Sequence, residues 1–251
     1  MFQNFVLFRK RKCWRPTFWG WILLLLVLGI LFRLWMVTVS VYLSEDHPVP
    51  AKILVVEGWV EDEALTHAVA LYHKDHYRHL VVTGLPITFR KDYLHFKNTA
   101  QAAVAQIKKD GFKDTIYEAV IPSTVYIDRT YNTAIATRKI LEQHPEWGKS
   151  FNLYSVGVHA RRSHLMFERA FGDGYQIGII SEKDPTFDPA HWWRTSKGFR
   201  NVSNEFMAYV YVWAFFHPDY AVFEKKLEEG YQHDRRLLHT SDSIPVDLPG
   251  N

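Results

Sequence analysis

The side chains of this sequence that could act as acids, bases or ligand contacts follow short apolar runs. General acid or base chemistry needs a carboxylate or an imidazole, and Glu57 and His159 each follow such a run. Asp128 is a third candidate, in the loop after another run. The predicted catalytic residues are therefore Glu57, Asp128 and His159. Each also has an ordinary structural interpretation, namely a helix cap, an ion pair or a hydrogen bond to the backbone.

Small, hydroxyl-bearing and basic residues near these three predict a ligand site. Arg161 and Arg162 begin a helix, where cations oppose the helix dipole, and this favours an external anion or an acidic partner such as Glu57 or Asp128. Gly58 either lets a ligand approach a helix N-terminus or only makes a turn. The predicted ligand-binding residues are Gly58, Trp59, Asp62, Thr83, Gly84, Arg129, Asn132, Thr133, Arg161 and Arg162.

Motifs that bind common cofactors or metals are missing from the sequence. There is no G-x-S-x-G, no G-x-x-x-x-G-K-[ST], no G-x-G-x-x-G and no H-E-x-x-H, and Cys13 is the only cysteine. We interpret the stretch with His67, His73, His76 and His79 as a solvated face. No metal site is predicted, and the cofactor is left open.

Apolar runs of strand length alternate with helical patterns through the middle of the chain. Strands are predicted over 53–56, 79–83, 115–121, 151–158 and 175–181, with a helix after each of the first four. The alternation predicts a Rossmann-like doubly wound, mostly parallel α/β sheet of about five strands. Ligands bind beyond the carboxyl ends of such strands, so the candidate residues should share one edge. A helix over 199–216 is predicted to cover one face of the sheet.

The segment 18–43 is long and apolar enough to cross a bilayer, and we predict an uncleaved anchor rather than a signal peptide. Residues 1–43 carry six basic residues and no acid, within a net charge of +3 for the whole chain. The rest is therefore slightly acidic, which argues against nucleic acid as a partner. The positive-inside rule places the N-terminus in the cytoplasm of a bacterial inner membrane and the C-terminal domain in the periplasm.

The predicted organisation has five parts. They are a cytoplasmic basic segment (1–17), a transmembrane anchor (18–43), a linker (44–51), the α/β domain (52–218) and a C-terminal helix and tail (219–251).

Four motifs in this order resemble the SanA/ElyC/YdcF-like family of bacterial envelope proteins: ILVVEGWVEDEAL, VVTG, IDRTYNTA and VGVHARRSHLMFERAFG. His159 and Arg162 fall on the family's His and Arg, and Asn132 and Thr133 on its Asn-Thr pair. Gly58 and Thr83-Gly84 fall on its two glycine turns. The family's acid after the second strand is Thr99 here. The resemblance implies a Rossmann-like domain, anchored in the inner membrane, with a role in cell-envelope or peptidoglycan-precursor biology.

Three functions remain open from the sequence. One is binding or processing of an anionic, lipid-linked or free, cell-wall or polysaccharide precursor close to the bilayer that residues 18–43 contact. Another is a non-enzymatic envelope scaffold, which would present an exposed apolar patch on 199–216. The third is binding of a nucleotide or S-adenosylmethionine. The substrate and the question of whether the protein is an enzyme are not determined by the sequence.

Overall fold

The computed structural model describes residues 17–87 and 96–241, without the side chains of 238–241. The basic segment that sets the predicted orientation, with Cys13, lies outside the described residues, and so does the end of the predicted tail. The described helices are α1 (Phe18–Leu43), α2 (Asp62–Lys74), α3 (Thr99–Lys109), α4 (Arg129–Gln143), α5 (Ala160–Phe171), α6 (Ser196–Phe215) and α7 (Tyr220–Ser241). The strands are β1 (Ile53–Glu57), β2 (His79–Gly84), β3 (Ile116–Val120), β4 (Ser150–Val156) and β5 (Gln176–Glu182).

The five strands form one parallel sheet in the order β3-β2-β1-β4-β5. This confirms the predicted α/β class with its Rossmann-like sheet. β1 lies at the centre, where Val55 is in register with Val81 on one side and Leu153 on the other. The strand order reverses between β1 and β4, because α4 carries the chain from the β3 edge back across the sheet. Ligand sites of open α/β sheets lie at the carboxyl ends of two such strands.

Alternate residues of β1 build two separate cores. Leu54 and Val56 pack with the apolar residues of α2 and α3. Ile53 and Val55 pack with those of α4 and α5. Since side chains alternate along a strand, Glu57 emerges on the same side as Ile53 and Val55. The two-residue period of β1 therefore decides which helices surround this carboxylate.

The N-terminal helix α1 is long and apolar enough to cross a membrane, with a mean hydropathy of 2.6 in its most apolar window. The chain divides into two compact units, and the boundary falls within α1, after Thr38. The residues that follow, among them Val39, Ser40 and Leu43, are buried in the second unit. Tyr42 is also in that unit, and its hydroxyl lies 3.0 Å from the hydroxyl of Tyr209 in α6.

The helix α6 does not cover the sheet, and that prediction was wrong. α4 and α5 already cover this face, so α6 packs on α5 and on the 3-10 segment Pro189–Arg194. Three of its residues are fully buried, namely Gly198, Val202 and Val212. Its large apolar side chains are mostly exposed: Phe199, Met207, Val210, Tyr211, Trp213 and Phe215. We call these six residues the α6 apolar face.

The last helix, α7, is part of the α/β unit. Leu227 is fully buried in the core that also contains α4 and α5. Tyr231 donates from its hydroxyl to the carbonyl oxygen of Val120 at 2.7 Å. Asp234 accepts hydrogen bonds from the backbone amide and the hydroxyl of Ser123. α7 therefore closes the end of β3.

Candidate functional site

A cavity of about 850 Å³ opens beside the carboxyl ends of β1 and β4. Its wall combines residues that follow β1, residues that begin α4 and α5, and one side of α6. The lining residues with chemical potential are Trp59, Asp128, Arg129, His159, Arg162 and Glu205. The cavity lies at the strand-order reversal, as expected for this sheet class.

Glu57 is a buried carboxylate at the end of β1, with 2% of its surface exposed. It accepts a hydrogen bond from the hydroxyl of Ser155 at 2.5 Å and another from Ser163 at 2.9 Å. Its Oε1 atom lies 3.7 Å from Nε2 of His159. Glu57 does not line the cavity but lies behind His159. The geometry therefore suits Glu57 to orient His159 rather than to touch a ligand.

His159 lies between two carboxylates and faces the cavity. The turn that ends β4 positions it, and Gly157 takes a φ of +51° there, a conformation that favours glycine. Nδ1 of His159 lies 3.1 Å from Oε1 of Glu205, and its ring stacks edge-on against Trp59. Nε2 is buried and has no hydrogen-bond partner among the described residues. The ring is therefore held between Glu57 on its Nε2 side and Glu205 on its Nδ1 side, and an oriented imidazole beside a cavity is suited to moving a proton.

Arg162 and His159 stabilise the charged form of Glu205. Nε and Nη2 of Arg162 donate to the two carboxylate oxygens of Glu205 at 2.7 and 3.1 Å. Burial raises the pKa of Glu205, but His159 and Arg162 outweigh this effect and lower the pKa from its ordinary 4.5 to about 2. Glu205 is thus an anion at neutral pH. Its bidentate pairing with Arg162 leaves that guanidinium largely satisfied.

The loop before α4 brings Asp128, Arg129 and Thr130 to the cavity. Asp128 has a φ of +47°, which is uncommon for a residue with a side chain, and its carboxylate does not cap α4. Burial raises the pKa of Asp128, and the positive charge of Lys226 partly offsets the rise. Arg129 is exposed and forms no ion pair within the described part of the chain. A backbone conformation of this kind is a recurring feature of functional loops.

Gly58 and Gly84 serve close packing rather than ligand approach. A Cβ atom on Gly58 would lie 2.3 Å from the carbonyl oxygen of Thr83, and one on Gly84 would lie 2.8 Å from Cβ of Ala100. The amide of Gly58 donates to that same Thr83 oxygen at 3.1 Å. None of Gly58, Thr83 and Gly84 lines the cavity. They hold β1, β2 and α3 close together.

Three further predicted ligand residues make local contacts. The side-chain amide of Asn132 donates to the carbonyl oxygens of Ile127 and Asp128, and so fixes the loop that carries Asp128. Thr133 donates from its hydroxyl to the carbonyl oxygen of Thr130. Asp62 begins α2 on the surface and lies outside the cavity lining.

Arg161 and Arg162 are adjacent in sequence, but their side chains lie in different parts of the structure. Both have acidic partners, as one of the two interpretations expected, but the partners are neither Glu57 nor Asp128. Arg162 pairs with Glu205 inside the cavity. Arg161 lies outside the cavity, where it pairs with Glu45 at 3.2 Å and covers the ring of Tyr42 at 3.9 Å. The acidic partners come from α6 and from the linker, which are remote from α5 in sequence.

Sequence reasoning missed Ser155, Ser163 and Glu205. A helical signal existed for Ser163, because it follows His159 by four residues and so shares a face with it. Glu205 had no such signal, since its position beside His159 depends on how α6 crosses α5. Ser155 lies in an apolar strand, and its contact with Glu57 follows from the parallel pairing of β1 and β4, in which Val56 is in register with Tyr154.

The described residues therefore bring together Glu57, His159, Arg162 and Glu205, with Trp59, Asp128 and Arg129 at the same cavity. This set can bind a polar ligand and transfer a proton, and none of its members requires a cofactor to do so. A comparison with family models and with curated proteins finds no match to this chain.

Proposed function

We propose that this protein is a membrane-anchored protein of the bacterial cell envelope, facing the periplasm, that binds or processes an anionic cell-wall or polysaccharide precursor. The resemblance to the SanA/ElyC/YdcF-like family motivates the cellular setting. The single observation that carries the chemistry is His159, which lines the cavity and is held between the carboxylates of Glu57 and Glu205. Glu57 orients the ring from behind.

The anionic part of the ligand is assigned to the start of α4. Backbone amides at a helix N-terminus attract anions, and Arg129 and Thr130 at this N-terminus line the cavity. Arg129 adds a guanidinium that no described carboxylate neutralises. Arg162, in contrast, is already paired with Glu205 and acts by positioning it. Arg129 is thus the residue we assign to the anion.

The position of α6 supports a substrate with a lipid part. One side of α6 lines the cavity through Asn204, Glu205 and Ala208. The α6 apolar face adjoins this side, since its Tyr211 also lines the cavity. Tyr209 contacts Tyr42, which lies at the end of the predicted membrane span. Exposed aromatic side chains of this kind suit a membrane interface. A lipid-linked precursor would then have its polar head at His159 and its chain along α6.

A ligand screen tests this proposal. The full-length protein in detergent is heated with phosphorylated sugars, polyprenyl phosphates and nucleotides, and the melting temperature is measured. We expect phosphorylated sugars or polyprenyl phosphates to stabilise the protein. The variant Arg129→Ala should lose that stabilisation, whereas Arg78→Ala, an exposed arginine just before β2, should keep it. Stabilisation by nucleotides alone would favour the nucleotide or S-adenosylmethionine function instead.

The scaffold function keeps one specific observation in its favour, the α6 apolar face, which lies on the segment where an exposed patch was predicted. Charged substitutions there separate the two functions. Trp213→Glu combined with Phe215→Lys should abolish a scaffold's function in cells, and a point change at His159 should leave it intact. The precursor function predicts that His159→Ala causes the larger loss.

A further inference from the structure

A second histidine cluster lies outside the cavity, at the edge of the α/β unit. Glu45 and His47 belong to the linker that follows α1, and His164 projects from α5. One ligand atom from each of the three lies within 4.8 Å of the other two. His164 is 6% exposed and Glu45 14%, while His47 is half-exposed and closes the cluster towards solvent.

The hydrogen bonding of His164 leaves one nitrogen facing a carboxylate. Nε2 lies 3.0 Å from the carbonyl oxygen of Ile177, which can only accept, so this nitrogen carries a proton. Nδ1 lies 3.3 Å from Oε2 of Glu45, which is also an acceptor. If the imidazole of His164 is neutral, the lone pair of Nδ1 therefore faces a lone pair of Oε2 of Glu45. A cation between Nδ1 and the carboxylate removes the conflict.

The separation between Glu45 and His164 matches the geometry of a tetrahedral metal ion. Zn²⁺ binds nitrogen and oxygen at about 2.0–2.1 Å, which places neighbouring ligand atoms about 3.3 Å apart. Oε2 of Glu45 lies 3.3 Å from Nδ1 of His164 and so fits this value. Nδ1 of His47 lies 3.5 Å from the other carboxylate oxygen, Oε1, and its ligand atom remains within 4.8 Å of the other two. The hydrogen bond from Nε2 to Ile177 is the backbone contact that typically orients a metal-binding histidine.

We propose that Glu45, His47 and His164 form a Zn²⁺ site with two imidazoles, one carboxylate and an open fourth position. Arg161 occupies Oε1 of Glu45 and leaves Oε2 for the ion. The site joins the linker to α5 beside the contact between His47 and Ile179. Its role is to fix the chain just after the predicted membrane span, independently of what the cavity binds.

The test uses the untagged full-length protein in detergent, treated with a chelator and then titrated with Zn²⁺ or Co²⁺. We expect one equivalent to bind, a rise in melting temperature, and the intense visible absorption of four-coordinate Co²⁺. His47→Ala and Glu45→Gln should weaken binding by about tenfold or more, since even indirect contacts to a metal ligand carry effects of that size. His47 is half-exposed, so its removal should not impair folding, which circular dichroism checks.

His67→Ala is the matched control, because His67 faces a single carboxylate, Glu182, at 3.3 Å. This variant should bind Zn²⁺ as the wild type does. Equal binding by wild type and His47→Ala would overturn the proposal, and so would an octahedral Co²⁺ spectrum. The proposal would also be overturned if no stoichiometric metal binding were found and NMR showed a proton on both nitrogens of His164. The site would then hold an imidazolium instead of a metal ion.

Discussion

Two histidines five residues apart, His159 and His164, lie in opposite kinds of environment. His159 precedes α5, faces the cavity and keeps Nε2 without a described partner. His164 lies inside α5, and both of its nitrogens face acceptors. Each has a carboxylate from a distant segment and a neighbouring arginine, Arg162 or Arg161. One short sequence thus supplies two polar clusters, because residues along a helix point in different directions.

This contrast indicates which of the two histidines can exchange a proton with a ligand. An imidazole that moves a proton to or from a ligand must reach the space that the ligand occupies, and of the two only His159 lines the cavity. An imidazole whose nitrogens both face acceptors is better suited to hold a metal cation. We call Glu57, His159, Arg162 and Glu205 the cavity cluster, and Glu45, His47, Arg161 and His164 the linker cluster. Substitutions in each cluster test whether the two act separately.

Replacement of Glu57 should cost the most stability. Glu57→Ala removes the acceptor of two buried serine hydroxyls, and hydrogen bonds to a charged group contribute about 1.5–3 kcal/mol each. We expect the free energy of unfolding to fall by about 3 kcal/mol or more, measured by chemical denaturation. Glu118→Ala, an exposed strand position, is the control and should change it by less than about 0.5 kcal/mol. If both variants lost the same free energy of unfolding, the hydrogen bonds of Glu57 would not stabilise the fold.

Acid should weaken the cavity cluster through Glu205. Its pKa is about 2 in the folded protein and near 4.5 when unfolded, so the unfolded chain binds more protons between these values. The stabilisation is complete above pH 4.5 and is lost as the pH falls towards 2. It amounts to about 3 kcal/mol. Glu205→Gln should flatten the pH dependence of unfolding over this window, and an unchanged slope would contradict the assignment.

The two arginines should respond differently to substitution. Arg162→Ala removes a partner of Glu205, so it should raise the pKa of that carboxyl group and shift the acid transition to higher pH. Arg161→Ala should instead loosen the linker, because it removes the contacts to Tyr42 and Glu45. Hydrogen exchange at the backbone amides of His47 and Val49 should then speed up. If Arg161→Ala shifted the acid transition, or Arg162→Ala sped up exchange at His47 and Val49, the two clusters would be coupled.

The smallest effect is expected at the contact between α1 and α6. Tyr209→Phe removes one exposed hydroxyl contact to Tyr42, and burial together with that hydroxyl raises the pKa of Tyr209 to about 12. We expect a loss of at most about 1 kcal/mol in unfolding free energy. Tyr211→Phe, on the α6 apolar face, provides the comparison. A larger loss at Tyr209 would mean that this contact fixes α6.

Local sequence patterns were enough to place the strands, most helix limits and the long apolar helix at the N-terminal end of the described residues. Buried strands read as continuous apolar runs, and α5 begins and ends where its glycines and helical spacing predict, at Ala160 and Phe171. Both patterns are local, so they survive without knowledge of the fold. The Rossmann-like class follows from their alternation.

The pairing of charged side chains, in contrast, follows from the fold alone. Glu205 lies 46 residues from His159 and Glu45 lies 119 residues from His164, so no local pattern joins them. The sequence suggested Glu57 and Asp128 as partners for the arginine pair, whereas α6 and the linker provide Glu205 and Glu45. Which carboxylate reaches a given cation depends on how helices cross, and that is a property of packing between distant segments rather than of neighbouring residues.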